Sequence, residues 1–271
     1  MSQNKRSPLA ERSEIQTTID LSSIPFDNKK LHRHESSEGK IDNISIIGNI
    51  PSLFTFKIDR DALVNVTHVS LEKFADLKLQ FLIAERAKVN FAMADFGQGK
   101  GKIKIFFHLQ GQEAEANFRL SSLTSQKDRK TYEISFVHEA PHTHSKMENY
   151  GVVYQEGELR FAGVSHIQEI AANSEAHQFA RIMLFDEKSI GKVEPVLKID
   201  HDAVTASHAA TVGKANDEHL YYLCSRGLSL REAKNLITAG YLKPIIASFS
   251  DVGTREQIYR KIEEQEVGRD E

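Results

Sequence analysis

The stretch Pro195–Phe249 reads PVLKIDHDAVTASHAATVGKANDEHLYYLCSRGLSLREAKNLITAGYLKPIIASF and decides the fold. Its first half is typical of a strand, with apolar residues at Val196, Ile199 and Val204 and several β-branched residues after them. Its second half has helical spacing, with a stop at Gly227 and a new start at Ser229. The change of period near Gly213 therefore predicts a β body followed by C-terminal helices.

Upstream of that junction, from Ile41 to Gly213, short runs of alternating apolar and polar residues follow one another. Examples are LKLQFLIAE, GKIKIFFHLQG and KTYEISFVHEA, and each predicts a half-buried strand. No strong helical pattern intervenes, so the pattern predicts an all-β body. A sandwich, a barrel and a β-solenoid all fit this spacing. The 15 Gly and six Pro argue mildly against a hairpin-rich sandwich, whose tight turns usually need more glycine.

The helical region begins at Asn216 or Asp217, either of which can cap the first helix. Ser229 and Glu232 have the spacing of a capping box for the second helix. We expect that helix to end at Gly240. A third helix is then predicted from about Leu242, with Pro244 in its first turn.

The composition is that of an ordinary globular protein: 271 residues, 27% charged, with a net charge of −3. This charge is too small and too evenly spread to predict binding to nucleic acid. A single cysteine, Cys224, cannot form an internal disulfide and favours a reducing, cytoplasmic location. The N-terminus lacks the apolar run of a signal peptide, and no stretch approaches the roughly 20 apolar residues of a membrane span. We expect a soluble intracellular protein that binds no membrane.

Histidines are the main candidates for chemistry. His208 lies among small residues just before the helices, where it suits either a metal ligand or a hydrogen-bonded surface histidine. His142 and His144 would share one face if they lay in a strand, as two metal ligands must, and His138 lies close by. His32 and His34 fall in LHRHESSEGK, which has the composition of a linker, so a solvated loop is the expectation for them.

Two further features have structural interpretations. Cys224 lies beside Leu220 and Leu223 and favours packing over reactivity. The glycine-rich Gly97–Gly101 is not followed by a helical pattern and favours a hairpin turn over a phosphate-binding loop.

The segment LKIDHDAVTASHAATVGKANDEHLYYLCSRGLSLREAKNLITAGYL resembles the C-terminal part of the SufB/SufD family of iron–sulfur cluster assembly proteins. The shared pattern is an apolar strand with acidic residues, then Ser-His-x-Ala-Thr-x-Gly, an aromatic pair, Arg-Gly-Leu-Ser and Glu-Ala. The resemblance is clear from Val137 to Phe249 and looser from Ile41 to Phe136. The chain is most similar to a short, SufD-like member.

This resemblance implies a mainly β fold, a right-handed parallel β-helix (β-solenoid) followed by a small C-terminal helical domain. It implies three parts: residues 1–40 as a mostly flexible N-terminal segment, 41–213 as the SufBD-type core, and 214–271 as an ATPase-docking domain. The implied function is that of a scaffold subunit, not an enzyme, which docks a SufC-like ABC ATPase. The implied docking residues are Tyr221, Tyr222, Arg226, Gly227, Leu236 and Tyr241.

The other implied partner is a SufB-like subunit, or a second copy in a homodimer. His208 matches the family histidine at the interface between scaffold chains, which makes it the candidate for cluster assembly and metal binding. The implied cofactor is a transient iron–sulfur cluster shared with the partner chain. We expect this chain alone to bind no cluster tightly, because one cysteine is too few for the usual thiolate ligands.

Departures from the family pattern leave two alternatives open. Ala206 stands where SufD-type members carry cysteine, and Ala209 stands where SufB-type members carry glutamate. The chain is therefore also compatible with an adaptor paralogue that keeps the fold without a role in cluster assembly. A carbohydrate-active enzyme on a β-solenoid, using His208 with Asp200 or Asp202, is a further alternative.

Overall fold

The computed structural model describes residues 14–20, 32–47, 53–71, 73–74, 76–249 and 252–264. Sheet A contains β1 (Glu14–Asp20), β3 (Ile41–Ile47), β5 (Leu63–Ser70), β7 (Lys88–Asp95), β9 (Glu115–Thr124), β11 (His144–Val153), β13 (Glu175–Leu184) and β15 (Thr205–Lys214). Sheet B contains β2 (His32–Glu35), β4 (Leu53–Ile58), β6 (Leu77–Ile83), β8 (Lys100–Leu109), β10 (Arg129–His138), β12 (Glu158–Ile167) and β14 (Ile190–Ile199). Three helices follow: α1 (Asp217–Ser225), α2 (Leu230–Ile246) and α3 (Val252–Glu263).

Every strand pairs in parallel with the strand two places along the chain, so the chain alternates between the sheets as it winds. The result is a parallel β-solenoid with C-terminal helices, which confirms the predicted fold class. The change from strand to helix also falls where the sequence places it, because β15 ends at Lys214 and α1 begins at Asp217.

The core lies between the sheets because alternate side chains of each strand point inward. Sheet B contributes a column of stacked rings, in which successive centroids lie 4.7, 4.9 and 4.6 Å apart: Phe56, Phe81, Phe107 and Phe136. Such stacking follows from in-register parallel pairing, because identical positions of successive coils become neighbours.

The corners before the strands of sheet A share one backbone feature. Two residues before each strand from β3 to β13, the chain takes the left-handed conformation, with φ between 54° and 68°: Gly39, Asp61, Arg86, Glu113, His142 and Asn173. Five of these six residues are not glycine, and residues other than glycine rarely adopt this conformation. The corner therefore repeats in the backbone although the sequence does not repeat.

After a first step of 27 residues from Glu14 in β1 to Ile41 in β3, the solenoid widens from β3 to β15. Ile41 of β3 pairs with Leu63, 22 residues later, whereas Glu175 of β13 pairs with Thr205, 30 residues later. The strands lengthen in the same direction, from six residues in β4 to ten in β8 and β15. The last coils therefore enclose a wider cross-section than the coil that starts at β3.

The helical caps are those expected. The Asn216 side chain accepts hydrogen bonds from the backbone of Glu218 and His219, and Ser229 forms a complete capping box with Glu232. The prediction that Gly240 ends the second helix is wrong, because α2 continues to Ile246. Its last turns are held by tertiary packing: Leu242, Ile245 and Ile246 are buried against sheet A.

The helices pack on the outer face of sheet A, where α2 crosses β7, β9 and β11. The Tyr154 and Thr238 hydroxyls form a short hydrogen bond at this contact, and Arg119 donates to Ser248 at 3.2 Å. No helix of the described residues is long and apolar enough to cross a membrane.

Two local expectations are corrected. The supposed linker 31–40 contains strand β2, which pairs with β4 and brings His34 to a ring-centroid distance of 6.1 Å from Phe56. Gly97–Gly101 is not a hairpin turn, because β7 and β8 lie in different sheets. Ile15–Asp20 belongs to β1, an edge strand of sheet A, and residues 21–26 lie outside the described part of the chain.

Candidate functional site

The last coil, β14 and β15, ends both sheets, so no further coil of the described chain covers it. Positions that are buried in earlier coils are exposed here. Ile199 pairs in register with the fully buried Ile167 and is 39% exposed, and Val212 pairs with the buried Ile182 and is 41% exposed. The wide end of the solenoid therefore presents a cross-section of its core together with two unpaired strand edges, which are ready to pair with another chain.

His208 lies in this open end. It pairs in register with Gln178, which is buried and donates to the Ser165 hydroxyl at 2.8 Å and to the Val196 carbonyl at 3.0 Å. Residues in register share one face of a sheet, so His208 stands on the inward face of β15. Its side chain is exposed because no other coil of the described residues is stacked on this one.

Among the described residues, no group of three or more His, Cys, Asp or Glu side chains could hold a metal ion. His208 is a single ligand, and Cys224 lies on α1, packed with Leu220, Leu223 and Ala233. The donor set of this chain therefore does not fit an iron–sulfur cluster unless another chain supplies thiolates.

The structure separates the other histidine candidates. His138 is fully buried and its ring nitrogens lie 2.7 and 2.8 Å from the hydroxyls of Thr143 and Ser145. Burial lowers the His138 pKa to about 4. His142 occupies the left-handed corner, and His144 begins β11 on the outer face, 3.5 Å from Glu175. His142 and His144 are not in one strand, so the shared face required for two metal ligands is absent.

Asp200, one of the residues named for the enzyme alternative, is paired with other side chains. Asp200 lies 2.6 Å from His166 and 3.6 Å from Lys198, and these partners lower its pKa. A polar cleft of about 650 Å³ on sheet A has Glu148 as the one carboxylate in its lining, bound by Arg119 and Lys146. Glycoside hydrolysis normally uses two carboxylates, so this cleft does not have that arrangement.

The helices next to the open end carry an exposed aromatic and apolar surface. Tyr221 is 78% exposed, Tyr222 and Leu236 are more than half exposed, and Arg226 lies over the Tyr222 ring at 5.1 Å. Gly227 ends α1 with φ of 99°, a conformation that a glycine adopts easily. Leu230 is also exposed, and no sequence pattern singles it out, because it follows the cap as an ordinary first helical residue.

Tyr241 is placed differently from the other five candidates. It is partly buried and its ring meets Tyr150 edge-on, with centroids 6.0 Å apart. Burial raises its pKa to about 12. Tyr241 therefore joins α2 to the solenoid, whereas Tyr221, Tyr222, Arg226 and Leu236 face solvent.

The family model and the individual similar proteins all point to one family. The profile of the SUF system FeS cluster assembly SufBD core domain matches residues 52–241. The chain is 27% identical over 177 residues to iron–sulfur cluster assembly protein SufD of Bacillus subtilis (strain 168), which is 65% of this chain and 40% of the relative. It is 27% identical over 136 residues to SufB of the same strain, 50% of this chain and 29% of the relative.

A SufBD family protein of Staphylococcus aureus (strain USA300) is 28% identical over 108 residues, which is 40% of this chain and 23% of the relative. These alignments take in less than half the length of each of the three relatives.

Proposed function

Because this chain belongs to the SufBD family of the SUF iron–sulfur cluster assembly system, we propose that it is a SufD-like, non-catalytic scaffold subunit that pairs with another chain and docks an ATPase. Cluster assembly is the work of the family. What we propose is the role of each surface of this chain.

The observation that carries the proposal is the open wide end of the solenoid. Terminal repeats of a solenoid normally need a polar cap, because an uncovered core cross-section is unstable in water. Here the last coil exposes Ile199, Val212 and His208 instead. A SufB-like chain, or a second copy of this chain, is the proposed cover, paired through the strand edges of β14 and β15.

This arrangement gives His208 its proposed role. Covered by a partner, the imidazole would lie at a junction between two chains, away from bulk water. Neutral imidazole binds iron well. The cluster is treated as cargo: this chain offers His208 as one ligand, and the partner provides the thiolates that this chain lacks.

The second proposed surface is the exposed face of α1 and α2, formed by Tyr221, Tyr222, Arg226, Leu230 and Leu236. Tyrosine and arginine are enriched at the energetic centres of protein interfaces. We propose that a SufC-like ABC ATPase docks here, and that Gly227 sets the angle between the helices. The role predicted for Tyr241 as a docking residue stays a prediction, and its contact with Tyr150 supports a part in holding α2 to the solenoid.

The test is anaerobic co-purification of the full chain with a SufC-like ATPase and a SufB-like chain, followed by native mass measurement. The doubly substituted Tyr221→Ala/Leu236→Glu variant should bind the ATPase at least ten-fold more weakly, with Tyr259→Ala as the control on α3. Val212→Arg should abolish pairing between scaffold chains and leave ATPase binding unchanged.

Two results would count against the proposal. A chain that binds neither partner would show that only the fold of the family is kept. A chain that binds the ATPase but supports no cluster transfer with its SufB-like partner would be the adaptor alternative. The proposed setting is the cytoplasm, which the single cysteine supports.

A further inference from the structure

An apolar stripe crosses the outer face of sheet B. Each strand from β6 to β14 contributes one residue to it: Leu82, Phe106, Val137, Val164 and Val196. In register, Val164 lies beside Val196, and every other pair of neighbours is offset by two residues, the diagonal contact of a sheet face. We call these five residues the sheet-B stripe.

The sheet-B stripe faces solvent. Four of its residues are half-buried and Val196 is 48% exposed. The helices of the described chain pack on sheet A, against β7, β9 and β11. Single apolar residues on a surface are ordinary, but a contiguous row across five strands is typical of an interaction site. Parallel sheets are, moreover, normally covered on both faces.

One flank of the stripe is basic. Lys102 and Lys104 lie 2.8 and 3.1 Å from Glu133. Arg160 binds Glu194, and Lys192 lies 2.6 Å from the same carboxylate. Lys78 and Asp76 lie on the same side, and Asp76 accepts from the Lys102 backbone at 2.6 Å. The two rows of residues beside the stripe therefore hold five cations against three carboxylates. A net positive flank on a chain of net charge −3 indicates an acidic partner.

The opposite flank differs. At the strand ends, His108 lies 2.6 Å from Glu139 and His166 lies 2.6 Å from Asp200. With Lys198, which lies 3.6 Å from Asp200, this flank has one lysine against two carboxylates and therefore lacks the positive charge of the other side. The face is therefore polarised across the stripe, and a partner that carries carboxylates on one side of an apolar ridge fits it in one orientation.

Sheet A shows what kind of element can cover a sheet face of this solenoid. On sheet A, α2 lies across three strands and buries Leu242, Ile245 and Ile246 against residues such as Ala92, Ala94 and Val152. A sheet face of this solenoid can therefore be covered by a helix that crosses its strands. The stripe spans five strands, about 19 Å at the usual strand spacing, and a helix covers that length with about 13 residues.

We propose that the sheet-B stripe is a docking site for an acidic amphipathic helix of another protein, with its apolar residues on the stripe and its carboxylates on the basic flank. This site is separate from the open end and from the exposed face of α1 and α2. It gives the chain a third interaction surface, beyond the two of the proposed function.

The first test uses two fluorescent 14-residue peptides and the full chain. Both carry Leu at helical 3–4 spacing, one with Glu and the other with Lys at its remaining charged positions. Fluorescence anisotropy should show binding of the acidic peptide, at least ten-fold weaker binding of the basic one, and weakening by salt. Val137→Glu should weaken binding of the acidic peptide at least ten-fold, and Lys104→Glu should weaken it and reduce its salt dependence.

The matched control is Ser45→Glu, an exposed outward position in the middle of a strand of sheet A. It should bind the acidic peptide like the unsubstituted chain, and all variants should keep the same melting temperature and ATPase binding. Equal binding of the two peptides, no detectable binding, or an unchanged affinity of Val137→Glu would overturn the proposal. Because these variants leave the open end and α1 intact, this failure is distinct from failure of the proposed function.

The second test identifies the occupant in cells. A photo-cross-linking amino acid replaces Val137, and the cross-linked peptides are sequenced. Attachment to an acidic, helix-forming segment of another protein supports the proposal. Attachment to a second copy of this chain, or to another segment of the same chain, would overturn it.

Discussion

The coil of β10 and β11 and the coil of β14 and β15 both have inward-pointing apolar residues, but these residues are buried in the first coil and exposed in the second. In β10, the inward residues Ile134 and Phe136 are each 1% exposed. In the last coil, Ile199 and Val212 also point inward but are about 40% exposed, whereas their register partners Ile167 and Ile182 in the preceding coil are buried. The difference is the presence of a following coil, not the residue type. In a solenoid, burial is a property of stacking, so the uncovered coil is where an apolar residue becomes available to a partner.

The largest expected effect of a single substitution is in the middle coils. Phe107→Ala removes a ring stacked 4.9 Å from Phe81 and 4.6 Å from Phe136. We expect a loss of about 3–5 kcal/mol in the free energy of unfolding. Val212→Ala at the open end should cost less than about 0.5 kcal/mol in the isolated chain. Urea denaturation of both variants measures the contrast, and equal losses would show that the two regions do not differ as described.

A buried ion pair provides the second test of the middle coils. Lys130 is fully buried, donates to the Leu123 carbonyl at 2.7 Å and lies 3.3 Å from Asp95, which also accepts from Tyr132. Lys130→Met should destabilise the fold by about 3–5 kcal/mol, because it leaves a buried charge without its partner. The Lys130→Met/Asp95→Asn variant should recover part of that loss in the same denaturation experiment. No recovery would mean that the Lys130 side chain stabilises the fold by packing and not by its charge.

The pH dependence of stability separates buried from exposed histidines. Burial lowers the His138 pKa from 6.5 to about 4, and the nearby His144 and His166 contribute. The unfolded chain therefore takes up a proton between pH 6.5 and 4 that the folded chain does not. Stability contributed by His138 is complete above pH 6.5 and falls by about 3 kcal/mol as the pH drops to 4.

The control for this prediction is His138→Gln. The difference between its stability and that of the unsubstituted chain should change with pH across this window, as measured by urea denaturation at a series of pH values. A constant difference would contradict the lowered pKa.

The smallest expected effect on stability is at His208. His208→Ala should change the free energy of unfolding by less than about 0.5 kcal/mol, because the side chain is exposed. We nevertheless expect loss of cluster assembly in the complex with a SufB-like partner, measured by transfer to an apo-acceptor. Retained assembly would leave the open end as a pairing surface without a ligand role.

Much of this architecture could be predicted because the deciding signals are local. The alternation in β8 and β10, the cap at Asn216 and the capping box at Ser229 each depend on residues close in sequence. Period and spacing could not choose between a sandwich, a barrel and a solenoid, since strand pairing is between residues 22 or more positions apart. The resemblance to a known family made that choice.

Features that depend on tertiary packing could not be predicted from the sequence. Gly240 has the local character of a helix end, yet α2 continues because its later residues are buried against sheet A. The corner position of His142 could not be predicted, because a non-glycine residue in a left-handed corner has no strong sequence signal. The sheet-B stripe could not be predicted from the sequence. Its residues are spread from Leu82 to Val196 and become neighbours only through the register of five strands.

The taper limits how copies of this chain can assemble. Joining the narrow end of one solenoid to the wide end of the next would repeat without closing, and such head-to-tail contacts grow into fibres. The terminal strands differ in length, with seven and four residues in β1 and β2 against ten in each of β14 and β15, which makes that junction a poor fit. Two wide ends match each other in size and close after a single contact. The difference between the two ends therefore protects a molecule with an exposed apolar end from polymerisation.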